Sequence, residues 1–381
     1  MKKWCFYLLA AAVLMLPLAL QAGAEEEDGF TGSGSSVRAG KDKGRNVRKA
    51  ASRKKRELRE MGVRNVRVKN PGDWPRQVSV PKETEVKELG KPQGKPGFLY
   101  ESNNYCYVSP VKLPPSAQQT VARLCECAYA ANKAIAGVLP VHRTTLDRGN
   151  KKFAIVLQPT KAAYLEAGGP EGSAGVFQFV SREGTTPGSE AAVVMDRVMI
   201  PFESLGLTRS GAVQREDIDT HALVHELTHQ QFMLNRLPIW ANEGWAEYVG
   251  YVPYVGEDLD FDRGFSLILH EARKRVPFGA LDFDFKLEDF LTMDQQTMYG
   301  YMGQRKDTYM LSVMTLAFFV HLDGKRGIDA MKAYLQALLD GKSPQEAAEV
   351  LIKPYHTAAR LQNQFVRAWR GKKVKVGFPK K

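Results

Sequence analysis

Cysteine is scarce in this 381-residue chain: there are four, and one of them, Cys5, lies inside an apolar N-terminal stretch. The other three, Cys106, Cys125 and Cys127, lack the C-x2-C spacing usual in cysteine-built zinc sites, which argues against such a site. Long apolar runs are missing as well. Past the first 20 residues none is long enough to cross a bilayer, and the mean hydropathy is −0.33, which excludes a multi-span helical membrane protein. Aromatics are nearly absent between residues 25 and 96, where Gly, Ser, Lys, Arg and Pro dominate. Such a stretch cannot bury enough apolar surface to offset its chain entropy, so it is expected to be a disordered basic arm or linker.

The formal net charge of +12 is concentrated in that arm. Between Arg38 and Lys69 there are 14 Lys and Arg against three acids, whereas the chain from Asn70 onward carries only +3. The arm at 38–69 is thus a candidate for adhesion to an anionic envelope polymer or lipid. Nucleic acid is not the expected partner, and a solvated linker or pro-segment is the plainer reading. Ahead of it, two lysines, an apolar stretch from Trp4 to Leu20 and the small residues Ala22-Gly23-Ala24 have the layout of a secretory signal peptide. The expectation is residues 1–24 removed and the protein exported, periplasmic or extracellular; an uncleaved signal anchor is the rival. Export would let Cys106 pair with Cys125 or Cys127, giving one disulfide and one spare thiol.

Order is expected from about Phe98. Residues 97–217 read as strands (FLYESNNYCYV, KKFAIVLQP, GVFQFV, EAAVVMDRVMIPF) mixed with the helix PPSAQQTVARLCECAYAANKAIAGVL and the short helix KAAYLEAG. From 218 to 381 the apolar spacing is helical almost to the end, beginning with DIDTHALVHELTHQQFMLNR, where Asp217 or Asp219 would cap, and IWANEGWAEYVG. The fold class is α+β, a mixed-sheet half followed by a helical half.

His225-Glu226-Leu227-Thr228-His229 is an H-E-x-x-H sequence inside a predicted helix. Residues four apart share a helix face about 6 Å apart along the axis, so the two imidazoles can converge on one Zn2+ while Glu226 faces the water it activates. His221 shares the face but lies about 12 Å from His229 along the axis, too far to bind the same ion. It is expected to support the site or fill the core. The third ligand should come from Glu243, with thirteen residues between it and His229, and with Glu247 one turn on as a carboxylate supporting an imidazole. Flanking Trp240, Trp245 and Tyr248 argue against a solvated face there.

HELTHQ followed by LPIWANEGWAEY resembles the gluzincin metallopeptidases, especially the short bacterial peptidase-MA-like group. The resemblance is strong over Thr220–Gly250 and weak over the Tyr309–Gly341 helices. It implies a zincin-like fold and zinc held by His225, His229 and Glu243. Glu226 would then be general base and acid, and Glu247 the carboxylate behind a ligand. The strand EAAVVMDRVMIPF is placed like the edge strand that pairs with substrate. The family's oxyanion donor from a later helix points to Tyr309, with Tyr299 and Tyr301 behind it. No G-x-M-E-N exopeptidase motif is present, so the expected activity is a zinc endopeptidase acting on peptide or protein. The rivals are an envelope-binding protein with an inactive or structural metal site, and a zinc amidase acting on peptidoglycan or another non-protein amide.

Overall fold

The computed structural model describes residues 74–80, 84–91, 97–141, 151–181, 193–214, 221–232, 237–255, 258–276, 280–303 and 307–379. The signal-peptide segment 1–24, the basic arm 38–69 and the capping residues Asp217 and Asp219 lie outside them.

Eleven short strands and eleven α-helices form a mixed α/β structure of the general α+β kind among the described residues. Six strands make the main sheet: β2 (Lys87–Gly90), β3 (Phe98–Glu101), β4 (Tyr105–Ser109), β5 (Phe153–Gln158), β6 (Val176–Ser181) and β7 (Val193–Pro201), in the order β2-β3-β4-β5-β7-β6. β4, β5 and β7 run parallel, and β6 closes back antiparallel on β7 with Phe177 opposite Val198. Strict alternation in FAIVLQ puts Phe153, Ile155 and Leu157 on one face, and helix α1 (Pro115–Ala136), with Pro at its first turn, covers that face. The short helix α2 (Lys161–Glu166) precedes β6.

The helical half starts with α3 (His221–Phe232) and α4 (Ile239–Gly250). The two-residue strand β8 (Tyr254–Val255) and β9 (Asp258–Asp260) form a three-stranded sheet with β1 (Gln77–Ser79), before α5 (Phe261–Lys274). There follow β10 (Leu281–Asp282), α6 (Leu287–Thr292), α7 (Gln295–Gly303), α8 (Thr308–Ala317), α9 (Gly324–Leu339), α10 (Pro344–Ile352), α11 (Ala358–Gly371) and β11 (Val376–Gly377), which pairs with β10. α8 is capped by Asp307, whose side chain accepts from Met310 N, and runs on into a π-helical turn at Phe318–Leu322. One apolar cluster lies between the sheet, α1 and α3; a larger one is built on α4 and α8 and the helices after them.

Three expectations are corrected. The segment 25–96 is not a bare arm at its end: Trp74 and Val80 are buried in the helical cluster, and β1 and β2 are formed. One tryptophan and a few β-branched residues suffice there because the rest of the fold supplies the apolar surface. EAAVVMDRVMIPF is not an edge strand. β7 is flanked by β5 and β6, as its nearly continuous apolar run suits, and β6 is outermost among the described residues. The three cysteines form no disulfide. Tyr105 and Tyr107 face the cluster that holds Cys125, so Cys106 between them points to the opposite side of the sheet. Cys125 and Cys127, two apart on α1, diverge around the helix. Burial raises the Cys125 thiol and pushes Cys127 up to about 12.

Candidate metal centre

α3 is held from several sides, and its buried polar residues do the holding. Gln230 Nε2 donates to the backbone oxygens of Ala154 on β5 (3.1 Å) and Asp196 on β7 (3.3 Å). Gln231 Nε2 donates to Tyr105 Oη at 2.5 Å, and Asn132 Nδ2 on α1 donates to Gln231 Oε1 and Thr228 Oγ1 at 2.9 and 3.2 Å. Leu223 and Leu227 pack into the sheet cluster. With the rotation of α3 fixed in this way, His221, His225 and His229 face α4.

α4 is fixed just as firmly. Trp240, Trp245 and Tyr248 are almost wholly buried, and α8 packs against its backbone at Gly244, where a Cβ would stand 2.8 Å from Ser312 O. That close approach needs glycine. Glu243 and Glu247, four residues apart, then share the face opposite the histidines.

Three donor atoms converge between these helices. His225 Nε2 and His229 Nε2 are 3.0 Å apart, and Glu243 Oε2 is 3.4 Å from each. Tetrahedral zinc with bonds of about 2.0–2.1 Å sets its ligand atoms about 3.3 Å apart, so the triangle fits such an ion. Glu243 Oε2 is also buried without a hydrogen bond among the described residues, which a cation would satisfy. The buried His225, His229 and Glu243 group can therefore hold a metal ion.

Glu247 places Oε1 3.3 Å from His225 Nδ1 and Oε2 3.4 Å from His221 Nε2. Burial alone would lower the His225 pKa, but Glu243 and Glu247 outweigh it and push it up to about 10. Burial opposes ionisation of Glu243, and His229 and His225 nevertheless draw it down to about 2. Glu247 is likewise held below the usual carboxylate range, against its burial, by His221 and His225. A cation entering the site competes with the proton on His225.

Glu226 points toward the sheet edge, where its Oε2 accepts from Phe177 N of β6 at 2.7 Å. Nothing in the sequence marks this partner, because it is a backbone N–H. The Tyr309 ring, on α8, lies 6.3 Å from that of His225. Tyr299 Oη, on α7 and more exposed, donates to Glu243 Oε1 at 3.4 Å. Burial, with the Glu243 carboxylate adding to it, pushes the Tyr299 phenol up to about 12 and raises Tyr309 well above the ordinary range. Both stay protonated donors at neutral pH. Tyr301 packs against Phe285 in the apolar cluster instead, its ring 4.8 Å away.

Comparison with known proteins gives no match to any family model, curated protein or solved structure.

Proposed function

We propose that this protein is an exported zinc-dependent peptidase of gluzincin type, with a zincin-like fold and endopeptidase activity on peptide or protein. The observation that carries the reading is the three-donor triangle of His225, His229 and Glu243, with the Glu226 carboxylate on the adjacent helical position. A structural site would gain nothing from Glu226, whereas hydrolysis requires a base there.

Zinc held by the three donors would supply Lewis-acid polarisation of the scissile carbonyl and acidify a water. Phe177 N–H occupies Glu226 Oε2 and fixes the carboxylate, which leaves Oε1 to take the proton of the attacking water and return it to the leaving amine. Glu247 Oε1, 3.3 Å from His225 Nδ1, would hold the imidazole proton on that nitrogen when a metal is bound and leave Nε2 for the metal side. Tyr309 is the donor for charge developing on the carbonyl oxygen, and Tyr299 steadies the Glu243 carboxylate through Oε1.

The test combines elemental analysis with turnover on protein and peptidoglycan-amide substrates. Wild type should carry one zinc per chain and Glu243→Ala little. Glu226→Gln should keep the zinc and lose about 10²–10⁴-fold in rate. Undiminished hydrolysis by Glu226→Gln would sink the mechanism. Zinc without hydrolysis of any amide would move the reading to an envelope-binding protein with an inactive site, and cleavage of the peptidoglycan amide alone to an amidase.

A further inference from the structure

The histidine stripe on α3 has a third member that the donor triangle does not use. His221, His225 and His229 are four residues apart on α3, and Glu243, Glu247 and Tyr251 repeat that spacing along and just beyond α4. The two rows interleave: Glu243 meets His229 and His225, Glu247 meets His225 and His221, and the His221 ring rests 4.8 Å from that of Tyr251.

We propose that His221 is a positioning residue for the metal centre: by holding Oε2 of Glu247 it aims Oε1 of the same carboxylate at His225 Nδ1. The proposal rests on the metal-centre reading and extends it by one link. A glutamate carboxylate turns easily about its last torsion, so a single contact leaves its plane undefined. Here each oxygen lies within ion-pair distance of its own imidazole, at 3.3 and 3.4 Å, and the two contacts together restrict the plane. With a cation in the triangle, His225 would donate from Nδ1 and offer its Nε2 lone pair to the ion in the space shared with His229 Nε2 and Glu243 Oε2. The chain keeps room for this arrangement at Gly250, where a Cβ would lie 2.8 Å from both Cδ2 and Nε2 of His221.

Zinc affinity measured by competition with a chromogenic chelator tests the link without relying on activity. In the full chain, His221→Ala should weaken zinc binding about tenfold. His221→Gln, which keeps an N–H donor, should recover most of the loss. In a Glu247→Ala background His221→Ala should have no further effect, because its contribution passes through that carboxylate. Circular dichroism of each variant separates these effects from misfolding. Equal affinity of wild type and His221→Ala would overturn the proposal, as would a loss of the same size in the Glu247→Ala background. Wild-type protein that binds no zinc would overturn the metal centre itself and this link with it.

Discussion

His225 and His321 are both largely buried imidazoles, yet their neighbours drive them in opposite directions. His225 faces two carboxylates and holds its proton to about pH 10. His321, in the π-helical turn after α8, stacks on Phe265 at 4.4 Å and takes a 2.8 Å hydrogen bond from Tyr248 Oη, which itself accepts from Trp74 Nε1 at 2.7 Å. Burial first, and then the Arg76 charge, pull His321 down to about 3. The folded protein thus refuses a proton that the unfolded chain takes up near the ordinary value of about 6.5. Stability is unaffected by this group above that pH and falls as pH drops from about 6.5 toward 3, by up to ~1.4 kcal/mol per unit. His321→Gln keeps an acceptor for Tyr248 and removes the titration. Denaturant unfolding of the two proteins at about pH 7.5 and about pH 4.5, on either side of the ordinary histidine pKa, should show wild type losing about 1–3 kcal/mol more than the variant. Parallel losses would show that His321 does not titrate differently in the fold.

At the scale of elements, the decisive contact is α8 against α4. Because Gly244 adjoins Glu243, and because Tyr309 stands at the start of α8, this one contact sets the positions of a candidate ligand and of the Tyr309 phenol. Gly244→Ala should force the helices apart, lower stability by about 1–3 kcal/mol and weaken zinc binding at the same time. Unfolding and zinc competition on the same preparation check both, and an unchanged zinc affinity would uncouple the packing from the ligand. The facing of α3 and α4, unlike this seam, was largely legible in the sequence, because on a helix a spacing of four fixes the face. IWANEGWAEYVG is read as a helix and forms one between Ile239 and Gly250. The sheet was less legible. Alternation identifies a strand but does not say which of β6 and β7 lies outside, and the Phe177 N–H that meets Glu226 is a backbone group that every residue but proline carries. The short helices α6 and α7 hold too few turns to show a period, so spacing does not separate Tyr299 from Tyr301; the packing of Tyr301 against Phe285 does.

At the scale of the whole molecule, the residues just after the basic arm tie distant parts of the chain together. Gln77 pairs with Asp260, Phe261 N donates to Arg76 O at 2.9 Å, and Val80 is buried. Trp74 stacks on Trp245 with ring centroids 6.0 Å apart, and its Nε1 reaches Tyr248 across 174 residues of sequence. Trp245 and Tyr248 lie on the helix that carries Glu243 and Glu247, so Trp74 backs that helix on the side away from the donor triangle. If processing or engineering removes the basic arm, the cut is tolerable only ahead of this strap. A chain beginning at Pro71 keeps Trp74, β1 and Val80, whereas one beginning at Pro81 loses all three. Trp74→Ala in the full chain should cost about 3–5 kcal/mol, the usual range for emptying a buried tryptophan site. The Pro81 chain should be less stable than the Pro71 chain by at least that much and should bind zinc more weakly, because α4 loses its backing. Equal denaturant midpoints for the two truncated chains would show that the strap is decoration on a fold that closes without it, and the ordered body would then begin at β2.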